Sequence, residues 1–177
     1  LESLQAEQES ATGSDLQTRI GLHAGDIMLG NIGALDHYEY RAVGDIVNTA
    51  SRIEGLNKQL GTSLLVSEAV LSGLEGFVSR ELGTFCMAGK QQSVVIHELR
   101  GFQRENDQQL DRLSEHFAEG LRAYKCGDWQ TAIQGFQRAL EASPVDGPSR
   151  YYLERCQLHL QGKLPSPQDG VIVIQKK

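Results

Sequence analysis

The sequence lacks several features on which common protein classes depend. Its three cysteines, Cys86, Cys126 and Cys156, lie far apart and show neither CxxC nor metal-ligand spacing, which excludes a disulfide scaffold and a cysteine-based metal site. Aromatic residues make up 6% of the chain and the formal net charge is −6, so we expect no base-stacking platform, no basic phosphate-binding face and no nucleic-acid partner. No apolar run exceeds five residues, which is too short to span a bilayer.

The start of the chain shows no signal segment. The first residue is Leu1 instead of Met, and residues 1–17 are polar and without periodicity. We therefore expect a truncated N-terminal segment here that belongs to a longer protein. The unpaired thiols and the missing signal segment together indicate a reducing, cytoplasmic location.

Residues 18–101 carry alternating strand and helix signals, which predict an α/β layer arrangement. Strands are predicted at residues 19–23 and 27–32, and the turn between them favours a hairpin. A third strand is predicted at residues 38–43. A helix is predicted from Gly44 onward, with Asp45 as its N-cap and Gly61 as its stop. Further strands are expected at residues 63–66, 77–85 and 93–99, with a short helix at residues 68–74.

The remaining residues have a purely helical period. We predict a linker at residues 102–109, helices over residues 110–161 and a C-terminal tail at residues 162–177. Small and aromatic residues have the spacing of a tetratricopeptide repeat; these are Gly120, Ala132, Phe136, Ala139 and Pro144. An ordinary helical hairpin would pack in the same way. On either interpretation we expect an all-α hairpin that docks on a neighbour and can hold a protein partner.

One helix face carries two side chains suited to a nucleotide. Asn48 and Arg52 are four residues apart, so they project from the same side of the predicted helix, away from its apolar stripe. Asn48 offers an amide that both donates and accepts, and Arg52 offers a cationic fork that fits phosphate oxygens. Taken alone, this spacing is more typical of a solvated helix face than of a nucleotide site.

Three runs of sequence resemble a known family. They are RIGLHAG at residues 19–25, GNIG at residues 30–33 and VGDIVNTASRIEGLN at residues 43–57. Together they resemble the class III nucleotide cyclases, the adenylate and guanylate cyclases, over the C-terminal half of their catalytic domain, here residues 18–101. The resemblance implies a partial ferredoxin-like α/β (α+β) sandwich that acts as a head-to-tail homodimer, with active sites at the dimer interface. The helical residues that follow look like the repeat segment that trails bacterial cyclases of this kind.

The resemblance also implies the chemistry of the site. A nucleoside triphosphate is cyclised when its 3′-hydroxyl attacks its own α-phosphate and pyrophosphate leaves. Asn48 matches the residue that orients the ribose, and Arg52 matches the one that stabilises charge on the α-phosphate. Two metal ions, Mg²⁺ or Mn²⁺, are implied, but their two aspartate ligands are expected upstream of Leu1. Asp26 lies in a turn and Asp45 caps a helix, so we expect neither to replace them.

Two positions depart from the family pattern. Arg41, seven residues before Asn48, stands where adenylate cyclases place an acceptor for the adenine amino group, and arginine can only donate. The family's Lys-Gly-Lys turn reads Ala88-Gly89-Lys90 here, so Lys90 is either the remaining phosphate ligand or a simple turn lysine.

These observations lead to two hypotheses on the cyclase-like residues, and to a third in which the helical residues from Leu110 onward are the principal functional element, a peptide-binding scaffold. In the first, the chain is part of a bacterial signalling cyclase that makes a 3′,5′-cyclic nucleotide from ATP, with GTP as the second choice of substrate. Parent proteins of this kind are commonly anchored to a membrane. The residues of this chain alone would be inactive, because the metal ligands are missing. The alternative is a non-catalytic, cyclase-like regulatory module with a tetratricopeptide-type docking segment.

Overall fold

A computed structural model describes residues 18–34, 37–87, 89–90, 92–102, 108–165 and 167–174. The strands are β1 (Ile20–Leu22), β2 (Met28–Ala34), β3 (His37–Val43), β4 (Leu64–Ser67), β5 (Phe77–Cys86), β6 (Ser93–Phe102) and β7 (Ile172–Val173). The helices are α1 (Asp45–Leu60), α2 (Glu68–Leu71), α3 (Gln108–Lys125), α4 (Trp129–Ala142) and α5 (Gly147–Leu160), with a 3-10 turn at Gln168–Gly170. Among these residues, no helix is long and apolar enough to cross a membrane.

The main sheet has the strand order β1-β4-β6-β5-β7. β1 and β4 are parallel, β4–β6 and β6–β5 are antiparallel, and β7 runs parallel to β5. The predicted hairpin between the first two strands is wrong, because β2 pairs with β3 instead, in a separate two-stranded sheet. β1 is tied to the far end of α1: Asn57 donates to the Ile20 carbonyl and the Ile20 amide donates to Ser63.

Helix α1 is confirmed as the main helix of this region, with one correction at its start. Gly44 is the N-cap, and Asp45 is the first helical residue instead of the cap. The Asp45 carboxylate pairs with Lys90, so it does not bond the helix backbone as a cap would. Gly61 ends the helix with a φ of 67°, a left-handed conformation that glycine adopts without strain. Thr49, Ile53, Leu56, Asn57 and Leu60 form the buried face.

The first two C-terminal helices, α3 and α4, pack through small residues. A Cβ on Gly135 would lie 2.6 Å from the Gly120 Cα, and a Cβ on Gly120 would lie 2.9 Å from the Phe136 ring. Only glycine at both positions lets α3 and α4 come this close. Asp128 caps α4 by accepting from the Thr131 amide at 3.1 Å. The tetratricopeptide assignment stays a prediction, as does the division of the chain into domains.

These helices share one hydrophobic core with the sheet. The core contains Leu65, Leu82 and Ile96 from the sheet together with Phe117, Phe136 and Tyr152 from the helices. Tyr152 reaches the sheet backbone, where its hydroxyl donates to the Leu82 carbonyl. The apolar faces of the helices are therefore buried against the same chain.

The predicted C-terminal tail contributes a strand to the sheet. Ile172 and Val173 pair with Phe85 and Cys86 of β5, and the Ile174 amide donates to the Cys86 carbonyl at 2.9 Å. Ile172 is fully buried. The sequence showed only an apolar patch here, because two strand residues are too few for a periodic signal.

Candidate active site

Helix α1 presents the two predicted catalytic residues. Asn48 is exposed and Arg52 is half-buried, and both lie to one side of the buried face that contains Ile53. With one helical turn between them, the amide and the guanidinium project in nearly the same direction. Asn48 is therefore open to a ligand, and Arg52 stands at the boundary between solvent and the interior.

The turn between β5 and β6 brings Lys90 to the beginning of the same helix. The Lys90 amide donates to the Met87 carbonyl at 2.9 Å, and the Cys86 thiol donates to the Lys90 carbonyl at 3.2 Å. The Lys90 ammonium pairs with the carboxylate of Asp45. The Lys90 side chain is only 14% exposed, whereas that of Asp45 is 77% exposed, so the lysine reaches its partner from within the fold. Lys90 thus meets α1 at the end that carries Asn48.

A histidine that sequence reasoning passed over lies beside this lysine. His23 follows β1, and its Nδ1 is 2.8 Å from the hydroxyl of Ser67, which ends β4. Burial lowers the pKa of His23, and the positive charge of Lys90 lowers it further. His23 is therefore neutral at neutral pH. The carboxyl ends of parallel strands meet at one edge of a sheet, so the parallel pairing of β1 with β4 would have predicted this contact.

The other predicted substrate-binding residue is only partly placed. The backbone of Arg41 lies on β3, opposite Gly30, whereas its side chain lies outside what the structure describes. Ala88, which replaces the first lysine of the expected turn, also lies outside the described residues. The structure thus brings Lys90 to the helix that carries Asn48 and Arg52. For Arg41 it shows only that the backbone belongs to β3.

The described residues do not fit a metal site. Across residues 18–34, 37–87, 89–90, 92–102, 108–165 and 167–174, no group of three or more histidine, cysteine or acidic side chains could hold a metal ion. Asp45 is engaged with Lys90, and Asp26 is exposed near the start of β2. We therefore derive no chemical step through a metal from these residues.

Comparison with known proteins decides the family. Residues 1–101 match the family model of the adenylate and guanylate cyclase catalytic domain, which is more than half of the chain. The chain belongs to this cyclase family. Asn48, Arg52 and Lys90 all lie within the matched residues.

Two curated relatives illustrate the extent of the likeness. Adenylate cyclase 1 of Rhizobium meliloti is 39% identical over 105 residues, which cover 59% of this chain and 16% of that protein. The terminal-differentiation specific adenylate cyclase of Dictyostelium discoideum is 30% identical over 148 residues, covering 81% of this chain and 7% of that protein. This chain thus spans less than a fifth of the length of these two relatives. The crystal structure of the adenylyl cyclase CyaB from P. aeruginosa is 23% identical, with a TM-score of 0.48 over 59% of this chain and 54% of that one.

Positive charge lies at the start of α1. The first turn of α1 carries the positive end of the helix dipole, and the cation of Lys90 lies beside it, whereas Arg52 lies about two turns further along the helix. Asp45 neutralises part of this charge from the solvent side. One amide and two cations are thus presented by one helix and the turn beside it.

Proposed function

We propose that this chain supplies the ribose-orienting and transition-state-stabilising residues of a nucleotide cyclase. In the proposed reaction, the 3′-oxygen of a nucleoside triphosphate forms a bond to its α-phosphorus, the bond to the β-phosphate oxygen breaks, and pyrophosphate leaves as the hydroxyl proton is lost. Asn48 hydrogen-bonds the ribose, and Arg52 stabilises the charge that grows on the α-phosphate. The observation that carries this proposal is the Asn48–Arg52 face of α1, within the residues that match the cyclase family, with Lys90 at its first turn.

The substrate we propose first is ATP. Both relatives described above are named as adenylate cyclases. Arg41 is the reason to test GTP as well, because an arginine donates to a guanine carbonyl and cannot accept from an adenine amino group. The metal ions that the family resemblance implies, Mg²⁺ or Mn²⁺, are expected to be held by residues outside those described.

A homodimer is the assembly we propose, with each Asn48 and Arg52 facing a nucleotide held by the opposite protomer. The β2–β3 hairpin supports this assembly because it presents large apolar side chains to solvent: Leu29 is 59% exposed and Tyr40 is 70% exposed. Apolar side chains grouped at such exposure are typical of a surface that is covered by a partner.

A product assay tests the proposed function. The protein of natural length that contains this chain is incubated with ATP or GTP and with Mg²⁺ or Mn²⁺, and the cyclic nucleotide is measured. Arg52→Ala should lower kcat by about 10²–10³-fold, the usual cost of removing a preplaced stabilising group. Lys58→Ala removes a cation from the last turn of the same helix and is the matched control.

The outcomes separate two functions. Cyclic product from the wild type, lost in Arg52→Ala and kept in Lys58→Ala, supports the cyclase. Full turnover in Arg52→Ala contradicts the role given to this residue. A wild type that binds nucleotide without turnover favours the alternative, a regulatory module. The Lys90–Asp45 ion pair is one reason to consider this alternative, because the pair engages the lysine that would otherwise bind phosphate.

A further inference from the structure

The first turn of α5 rests directly on the end of α1. A Cβ on Gly147 would lie 2.2 Å from the Leu60 carbonyl oxygen and 2.9 Å from the Gly61 Cα. This is a contact between two backbones, at the residues where α1 ends. No side chain larger than hydrogen fits at position 147 without moving one of the two helices.

A buried ionic cluster fixes the same turn of α5 to the sheet. Asp146, the N-cap of α5, accepts from the Ser149 amide at 3.0 Å and from the guanidinium of Arg80 on β5. The Arg80 Nε donates to Glu98 on β6 at 2.7 Å, and its guanidinium lies 4.7 Å from the centre of the Phe117 ring. The cluster therefore joins α5 to strands β5 and β6 and to α3.

The burial of these charges makes the attachment specific. The side chains of Arg80 and Asp146 are only 4% and 5% exposed. Separating Asp146 from Arg80 leaves the carboxylate buried without a cation and leaves the guanidinium with Glu98 alone, so the arrangement tolerates little displacement. The first turn of α5 is thereby held at one place on the sheet, and Gly147 holds the end of α1 against it.

We propose that the first turn of α5 is a positioning device for α1, with Asp146 and Gly147 as positioning residues for Asn48 and Arg52. This inference rests on the proposed function of α1. It gives the helical residues a role within the chain: any displacement of α5 relative to the sheet moves the end of α1, and so changes the angle at which its polar face meets a nucleotide. The other end of α1 is held by Lys90 through Asp45.

Hydrogen–deuterium exchange on the whole chain tests the coupling without any need for activity. The amides of Gly61 and Thr62, which donate to the Asn57 carbonyl, report on the end of α1. Asp146→Asn keeps an oxygen that caps α5 but removes the charge that Arg80 requires. We expect these amides, and those of α1 before them, to exchange faster in Asp146→Asn by about tenfold or more, because removing one partner of a buried ion pair is strongly destabilising. Gly147→Ala should act in the same direction through overpacking.

Ile133→Ala is the matched control, because Ile133 is half-buried on α4 in the same helical segment. It should speed exchange within α3 and α4 and leave α1 unchanged. Equal acceleration of α1 in the control, or an unchanged α1 in Asp146→Asn, overturns the proposal. Should Gly147→Ala fail to fold, Asp146→Asn still decides the question.

A kinetic measurement connects the device to the site. In the protein of natural length, Asp146→Asn should lower kcat about tenfold and change KM less than about twofold, because Arg52 acts in the transition state. Faster α1 exchange with unchanged kcat overturns the positioning role. An inactive wild type contradicts the proposed cyclase function, whereas the exchange experiment still reports whether α5 holds α1.

Discussion

The ammonium of Lys90 pairs with the carboxylate of Asp45, and this ion pair joins the β5–β6 turn to the first turn of the helix that carries Asn48 and Arg52. The two partners differ in exposure, since the lysine reaches out from the interior and the aspartate lies mainly in solvent. Replacing each partner singly therefore distinguishes a structural role of the ion pair from a phosphate-binding role of the lysine.

Lys90→Met and Asp45→Asn remove the same ion pair and differ in which charge they leave. Because Asp45 is exposed, each should reduce the free energy of unfolding by less than about 1 kcal/mol. Lys90→Met should raise KM for the nucleotide about tenfold, the typical cost of losing a charged hydrogen bond. Asp45→Asn should leave KM unchanged or lower it, because the ammonium is released for phosphate. Equal increases of KM in both variants would show that the pair acts only by holding the turn.

Replacing Leu29 and Tyr40 with serine should weaken the proposed homodimer. Both are exposed on the β2–β3 hairpin, on the same face of that two-stranded sheet. The loss of two apolar contacts at an interface should raise the dimer Kd at least about tenfold. Sedimentation equilibrium measures this constant. Val145→Ser, at a residue that is 80% exposed just before α5, is the control and should leave the Kd unchanged.

Acidification should destabilise the fold in the range where histidine titrates. Burial lowers the pKa of His159, which stacks on Trp129 at 4.3 Å between ring centres. The pKa values of His23 and His97 are also lowered, by burial first. Each histidine therefore adds to the free energy of unfolding at a pH above its unfolded-state pKa of about 6.5. This added stability is lost as the pH falls below that value, because the unfolded chain then binds more protons than the folded one.

Denaturant unfolding at about pH 7.5 and about pH 5.5 measures this loss. His159→Phe keeps an aromatic ring beside Trp129 and removes the titrating group, so the difference between the two pH values should shrink. The same difference in wild type and variant would assign the acid sensitivity to other groups. Asp146 does not contribute to the difference in stability between these two pH values. Burial raises its pKa, but the hydrogen bond and the charge of Arg80 outweigh burial, so the pKa of Asp146 lies below its usual value.

The three thiols should react with a thiol-specific dye in a fixed order. Cys126 is exposed between α3 and α4, Cys86 is half-buried, and Cys156 is buried. Burial raises the pKa of Cys156 to about 12, so its reactive thiolate is depleted about 10³-fold relative to an ordinary cysteine. We expect Cys126 to label first and Cys156 only on unfolding. Cys126→Ser should abolish the fast phase; a fast phase that persists would place another thiol at the surface.

The elements that the sequence predicted well are those with local signals. The apolar spacing of α1 and the glycine after it predicted its position, because both features are read within one continuous segment. The same is true of the Asn48–Arg52 face, since residues four apart on a helix share a side whatever surrounds them.

The relationships that the sequence left undetermined are long-range. β1 pairs with β4 across the whole of α1, and the turn signal after β1 suggested the nearer partner, β2. Lys90 meets Asp45 only because the sheet brings the β5–β6 turn to the start of α1. Neither pairing leaves a pattern in the residues themselves, because both are fixed by which surfaces the folded chain buries.

The β5–β7 pairing sets an order of events during synthesis. β5 spans Phe77–Cys86, and the strand that pairs with its last two residues on the outer side is Ile172–Val173. A ribosome therefore releases β5 long before it releases β7, and for that interval the end of β5 at Phe85 and Cys86 is open to a strand from another nascent chain. Translation speed over the last third of the chain should then govern how much of the newly made protein aggregates.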